Sequence, residues 1–408
     1  MAELDVDFVR AQFPAFQTPD LKGQAFFENA GGSYTSKFVI KRLTRYYTER
    51  KVQPYAPYAT SELAGAEMDE ARIRLAAILN IDTHDLSFGP STTQNTYVLA
   101  QAFGQMLQPG DAIVVTNQDH EANSGPWRRL GERGIEVREW QVDADSGFLD
   151  MGNLANLLDE KVKLVCFPHC SNIVGQVNPV AKICQMAHAA GAFACVDGVS
   201  YAPHGLPDIS ALGADIYLFS AYKTYGPHQG IMYINADLSA RLPNQGHYFN
   251  ATSPYKRFTP AGPDHAQIAA SAGMADYIDA IYAHHFETPA DPAKRARAVL
   301  GLQSKYEGAL LTPLLEYLRT RNDLRLIGSD KTEGRVPTVA VALSHPAEKV
   351  ARDLGKLGIM AGGGDFYALR LLEALGIDPT HGVLRLSFVH YTNRSEIDKL
   401  IKGLDQVL

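Results

Sequence analysis

From about residue 85 to 235, short apolar runs alternate with stretches of helical pattern. AIVVTN (112–117) leads into a helical stretch reaching Arg133, and VREWQV follows. KLVCFPH (163–169) leads into a helix over 180–190, and FACVDG follows. DIYLFSA (215–221) and IMYIN (231–235) close the series. These runs are almost continuously apolar rather than alternating. That pattern marks strands buried on both faces, hence a mostly parallel sheet sandwiched by helices. Such sheets bind ligands beyond the carboxyl ends of their strands.

The pattern changes after residue 235. Residues 244–264 are rich in Gly, Pro, Asn and aromatic residues and read as a long functional loop. Helical periodicity covers 267–286 and 294–320. Alternation then resumes through TVAVALS, a helix near 348–356, GIMAGGG, a helix near 369–374, VLRLSFVHY and a last helix from Ser395. A chain of 408 residues exceeds what one core usually holds. The expected division is a large α/β domain over 21–288 and a smaller C-terminal α/β domain over 289–408. An N-terminal segment, 1–20, is expected to pack with the small domain.

Composition narrows the function by exclusion. The net charge of −7 and the lack of a long basic run argue against a nucleic-acid surface. No apolar stretch is long enough to cross a membrane, and the N-terminus lacks a leader's apolar core. Cys166, Cys170, Cys184 and Cys195 fall in or near apolar elements, as reduced, packed cysteines of a cytoplasmic protein do. No second pair completes a zinc site with Cys166 and Cys170, so no metal is expected.

Two polar residues at strand ends carry the chemistry. Lys223 follows DIYLFSA, and Asp197 ends FACVD. A lysine and an aspartate past neighbouring buried strands suggest a Schiff-base site for pyridoxal 5′-phosphate, with the aspartate keeping the pyridine nitrogen protonated. Ser91, Thr92 and Thr93 precede the helical stretch TYVLAQAF and place hydroxyls and N–H groups at a helix start, a seat for phosphate.

Six segments, in order, then resemble one family. FFENAGGSY (26–34) resembles an "LDNA" entry, and STTQNTYVLA (91–100) a phosphate-binding turn. DHEANSGPW (119–127) is similar to the segment beneath the cofactor ring. HCSNIVGQVNPV (169–180), VDGVSYAPH (196–204) and FSAYKTYGP (219–227) resemble the loop, aspartate and lysine motifs. The chain is thereby similar, over nearly its whole length, to the class V aminotransferases of the cysteine desulfurase-like branch. The resemblance implies a fold-type-I, pyridoxal-phosphate-dependent homodimer with sites at the subunit interface. It implies cofactor contacts from Asn172, Ser200, Ser220 and Tyr222, substrate contacts from Asn29 and Ala30, and a clamp on the substrate α-carboxylate from Arg385.

Departures from the family restrict the reaction. Aligning GIMAGGGDFYA (358–368) with the desulfurase loop puts Tyr367 where that family has its nucleophilic cysteine, and Gly362 where a second arginine stands. A phenol cannot form a persulfide. At the ring-stacking position, Glu121 aligns and His120 is its neighbour; either could be the residue against the cofactor. The implied enzyme acts on a small amino acid by β-elimination or transamination. Racemisation and a non-catalytic scaffold are the alternatives.

Overall fold

A computed structural model describes residues 3–408 of the chain. Its main sheet has seven strands in the order Leu86–Gly89, Gly230–Ile234, Ile216–Ser220, Phe193–Asp197, Val162–Pro168, Ala112–Thr116 and Glu136–Trp140. From Ile216–Ser220 to Glu136–Trp140 all neighbours are parallel. Gly230–Ile234 runs antiparallel to both of its neighbours. Successive residues of each strand feed opposite cores. Val165, Phe167 and Val196 join the apolar cluster on one face, while Leu164, Cys166 and Cys195 join the other. Covering both faces is why the strand sequences lack a polar alternation.

The stretch expected to be helical through Arg133 is broken into three pieces. They are a 3-10 turn at Glu121–Asn123, one helical turn at Gly125–Arg128 and a second 3-10 turn at Arg129–Arg133. Pro126 lacks an N–H, and a side chain takes over one backbone bond: His120 Nδ1 accepts from the Ala122 N–H at 3.0 Å. Two helices appear at Lys37–Glu49 and Ala59–Leu79 where no element was expected. Ala59–Leu79 packs against both His265–His285 and Pro292–Arg319, so its small and apolar residues form no single stripe.

The C-terminal part carries a four-stranded antiparallel sheet in the order Gly362–Gly364, Val383–Ser387, Thr338–Leu343 and Leu324–Ile327. Its helix Pro292–Arg319 begins a few residues after His265–His285 ends. The N-terminal segment lies across both parts. Arg10 pairs with Glu396, and Phe13 packs edge-on against Tyr225, Tyr277 and Tyr391. Residues 1 and 2 of that segment lie outside the described residues. Among the described residues no helix is long and apolar enough to cross a membrane, and no cluster of His, Cys, Asp and Glu could hold a metal.

Candidate active site

Lys223 and Asp197 meet because their strands are adjacent and parallel. Asp197 is the last residue of its strand, paired with Leu218, and Lys223 ends the 3-10 turn that follows Ser220. Both are buried. Burial pushes the Lys223 amine down to about 8. The charge of Arg385 adds to that, while Asp197 and Glu28 oppose it. Burial also raises the Asp197 carboxyl to about 6, against a 2.8 Å bond from the Val199 N–H and the charge of Lys223.

The helix Thr92–Met106 starts beside the same strand ends. Ser91 caps it, its Oγ accepting from the Gln94 N–H at 3.1 Å. Thr92 Oγ1 and Ser220 Oγ lie 2.8 Å apart, which ties the helix start to the lysine strand. Gly230 allows this approach: a Cβ there would lie 2.6 Å from the Thr92 nitrogen. Thr93 is exposed at the helix start and lines a cavity of about 590 Å³.

The same cavity is lined by Lys223, Tyr222, Ala30, Asn172, His120 and Arg385. Ser200 is half-buried and Asn29 buried; neither lines the cavity, and the Asn29 amide oxygen accepts from the Tyr391 hydroxyl. Tyr222 stacks on His228 with ring centres 4.7 Å apart. Asn172 Nδ2 donates to the Phe366 carbonyl at 3.1 Å, while its Oδ1 is buried without a partner.

His120 and Glu121 have different surroundings. The His120 imidazole is pushed down to about 3, first by burial and then by the charges of Lys223 and Arg385. With Nδ1 accepting from Ala122, its proton resides on Nε2. The Glu121 side chain is half exposed and lies 3.5 Å from Arg370. Its backbone N–H donates to the Tyr367 carbonyl at 2.7 Å. Tyr367 is 72% exposed, so its side chain lies at the mouth of the site.

Arg385, on Val383–Ser387, is buried and already engaged. Its Nη2 is 2.5 Å from Glu28 Oε1, and its guanidinium carbon stands 3.8 Å from the Phe366 ring centre. Burial lowers the guanidinium and the Glu28 charge opposes this. Glu28 was not anticipated as a site residue. One signal was present in the sequence: an acidic residue follows AFF, in a segment whose Ala25 and Phe27 are buried.

The residues suit pyridoxal 5′-phosphate. A buried amine poised to lose its proton, a buried acid at strand's end, hydroxyls at a helix start and an orphaned Asn172 oxygen share one strand edge. The sheet and this edge define a fold-type-I cofactor-dependent enzyme architecture. Residues 25–400 match the family described as aminotransferase class-V, and the chain belongs to it. Members of that family use pyridoxal 5′-phosphate. An aminotransferase-like protein of Gibberella zeae is 34% identical, over 100% of this chain and 99% of its own length. A cysteine desulfurase of Pectobacterium carotovorum is 30% identical over 98% of each chain. The apo cysteine desulfurase of Thermococcus onnurineus superposes with a TM-score of 0.85 at 23% identity, over 100% of this chain and 99% of that one, a likeness of fold.

Proposed function

We propose that this protein is a pyridoxal-phosphate-dependent enzyme that acts on a small amino acid or close derivative, by β-elimination or transamination rather than persulfide transfer. The observation that carries the reading is the burial of Lys223 beside Asp197, with the amine brought down to about 8 and the acid up to about 6. The cofactor supplies an aldehyde for amine exchange and a ring that accepts electrons from the substrate's α-carbon.

The chain's residues supply the rest. Lys223 Nζ holds the cofactor and, once displaced by the substrate amine, takes and returns the α-proton, a role suited to an amine titrating near 8. Asp197 keeps the ring nitrogen's proton. Thr92, Ser220 and the start of Thr92–Met106 take the phosphate, with Ser91 and Thr93 flanking it. The neutral His120 imidazole is the residue for the ring face, while Glu121 turns toward Arg370. Arg385 anchors the group attached to the α-carbon.

Persulfide transfer needs a thiolate that reaches the substrate sulfur. All four cysteines are buried. Burial pushes Cys184 up to about 12 and Cys166 and Cys170 up as well. A homodimer fits the exposed Tyr248 and Phe249 of the 244–264 region; light scattering tests it. The test of function is a screen of amino acids against the bound cofactor's absorbance, followed by product analysis. Pyruvate with ammonia marks elimination, and a keto acid with aminated cofactor marks transamination. A spectrum that no amino acid or amine alters would sink the proposal in favour of a scaffold.

A further inference from the structure

A buried acid away from the cavity ties together the loops that follow three strands of the site. Glu307, on Pro292–Arg319, is buried and does not line the cavity. Its Oε2 lies 2.8 Å from His204 Nδ1, and its Oε1 accepts from the His390 N–H at 2.9 Å. Burial works against its charge, but the two histidines hold the carboxyl below its usual range. Among the described residues they are its only ion-pair partners. His204 ends the turn Ala202–His204, which follows the Asp197 strand. His390 lies just past Val383–Ser387, the strand of Arg385.

The lysine turn joins through Tyr225. The Tyr277 hydroxyl and the Gln303 amide stand 2.6 and 3.0 Å from His390 Nε2. Burial lowers the His390 imidazole. With two donors at Nε2, the neutral ring carries its proton on Nδ1. Nδ1 faces the Tyr225 hydroxyl at 3.3 Å, and that hydroxyl donates to the Pro203 carbonyl, beside His204. A closed circuit therefore runs from Glu307 through His390, Tyr225 and Pro203 back to His204. Tyr225 follows Lys223 closely and holds a left-handed φ of 63°, a conformation unfavourable for a bulky residue. Its N–H donates to Ser33 Oγ at 2.7 Å, and its ring packs edge-on against Phe13, Tyr277 and His390.

We propose that Glu307 is a positioning residue, which through His204, His390 and Tyr225 fixes the Arg385 strand and the Lys223 turn against the Asp197 edge. The inference rests on the proposed function, in that it takes Lys223, Asp197 and Arg385 as the site. Alignment of that kind matters because a misplacement of about 1 Å can cost about a hundredfold in rate.

The test compares the full-length wild type with E307M and E307Q. E307M removes both bonds at similar side-chain length. E307Q can still accept from the His390 N–H and donate to His204 Nδ1, so it restores the geometry without the charge. The first readout needs no turnover: pyridoxal 5′-phosphate is added to the cofactor-free protein and its rate of attachment is followed against pH. Burial and the Arg385 charge hold the Lys223 amine down to about 8, where attachment by the wild type should level off. Loosening the site weakens both effects, so E307M should level off about half a unit or more higher. The second readout is kcat per bound cofactor for the amino acid that turns over fastest, expected to fall about tenfold or more in E307M. E307Q should stay near the wild type in both. A merely structural role would reduce the folded fraction and move neither quantity, since both are read only from molecules that take the cofactor. Should E307M fail to fold, Y225F removes only the hydroxyl between His390 and Pro203 and is expected to shift the same pH upward. A wild-type attachment profile in folded E307M, or in Y225F where E307M does not fold, would overturn the role of Glu307. So would an E307Q protein as impaired as E307M, and the enzyme reading would stand in each case. Cofactor attached to a lysine other than Lys223 in the wild type would sink both.

Discussion

The guanidinium of Arg385 and the ring of Phe366 are stacked, 3.8 Å apart, across the boundary between the C-terminal sheet and the loop that crosses the site. The loop bears a cost for this placement. Phe366 and Tyr367 both adopt left-handed backbone angles, with φ of 51° and 58°. Three contacts offset it: the stack itself, the Asn172 amide on the Phe366 carbonyl, and the Glu121 N–H on the Tyr367 carbonyl.

Phe366→Ala is accordingly expected to loosen the loop and raise KM, with a loss of about 0.5–2 kcal/mol from the cation–π contact. Tyr367→Phe removes only an exposed hydroxyl and is expected to retain most activity. Steady-state kinetics of the two variants decide this; equal and severe losses would place the Tyr367 phenol in the chemistry instead.

Glu28 and Arg385 are expected to be energetically coupled in the folded protein. Arg385→Met leaves a carboxylate without its partner in a partly buried site. Removing one member of a fully buried pair costs about 3–5 kcal/mol, and partial exposure of Glu28 reduces this to roughly 1–3 kcal/mol. The E28Q/R385M double variant should therefore be more stable than the sum of the single effects. Denaturant unfolding of the four proteins in a cycle measures the coupling, and additivity would show that the ion pair is absent in solution.

Lys223 and Asp197 predict opposite pH effects in the cofactor-free protein. The Lys223 amine is depressed, so the unfolded chain binds more protons between about 8 and the usual lysine range. Stability relative to Lys223→Met should rise with pH across that window and be lost as pH falls through 8. The Asp197 acid is raised, so its penalty grows as pH rises from the usual carboxylate range through about 6. At pH 7 Asp197→Asn should thus stabilise the cofactor-free protein, by about 1–3 kcal/mol, yet weaken cofactor binding. Unfolding curves against pH test both signs, and a destabilised Asp197→Asn protein would contradict the second.

Attachment of pyridoxal phosphate is expected at Lys223 alone. Borohydride reduction followed by peptide mapping should find the pyridoxyl group there, and its rate of attachment should level off above about pH 8, where the amine is neutral. A label on another lysine would remove Lys223 from its role.

Incubation with cysteine should leave no persulfide on Cys166, Cys170, Cys184 or Cys195, because all four thiols are buried. Any sulfide released should accompany pyruvate and ammonia. Intact-mass spectrometry is the measurement, and a persulfide with alanine as product would overturn the proposed chemistry.

The linear sequence determined the main sheet and the polar residues at its carboxyl edge. Strands buried on both faces must be apolar throughout, and a lysine or aspartate at their ends stands out against that background, so Lys223, Asp197 and Ser91–Thr93 were legible. The same logic located the C-terminal strands. Less legible was Ala59–Leu79, because a helix packed on several sides carries no single apolar stripe. The break-up of 117–133 also escaped, since side-chain caps such as His120 on Ala122 override helical propensity. Tertiary structure alone decided that His120 is less exposed than Glu121, because neighbouring residues point apart by an amount that spacing does not encode. It alone paired Glu28 with Arg385, 357 residues later in the chain. That contact depends on two backbones approaching over Gly31 and Gly362, and close approach is a property of the folded chain.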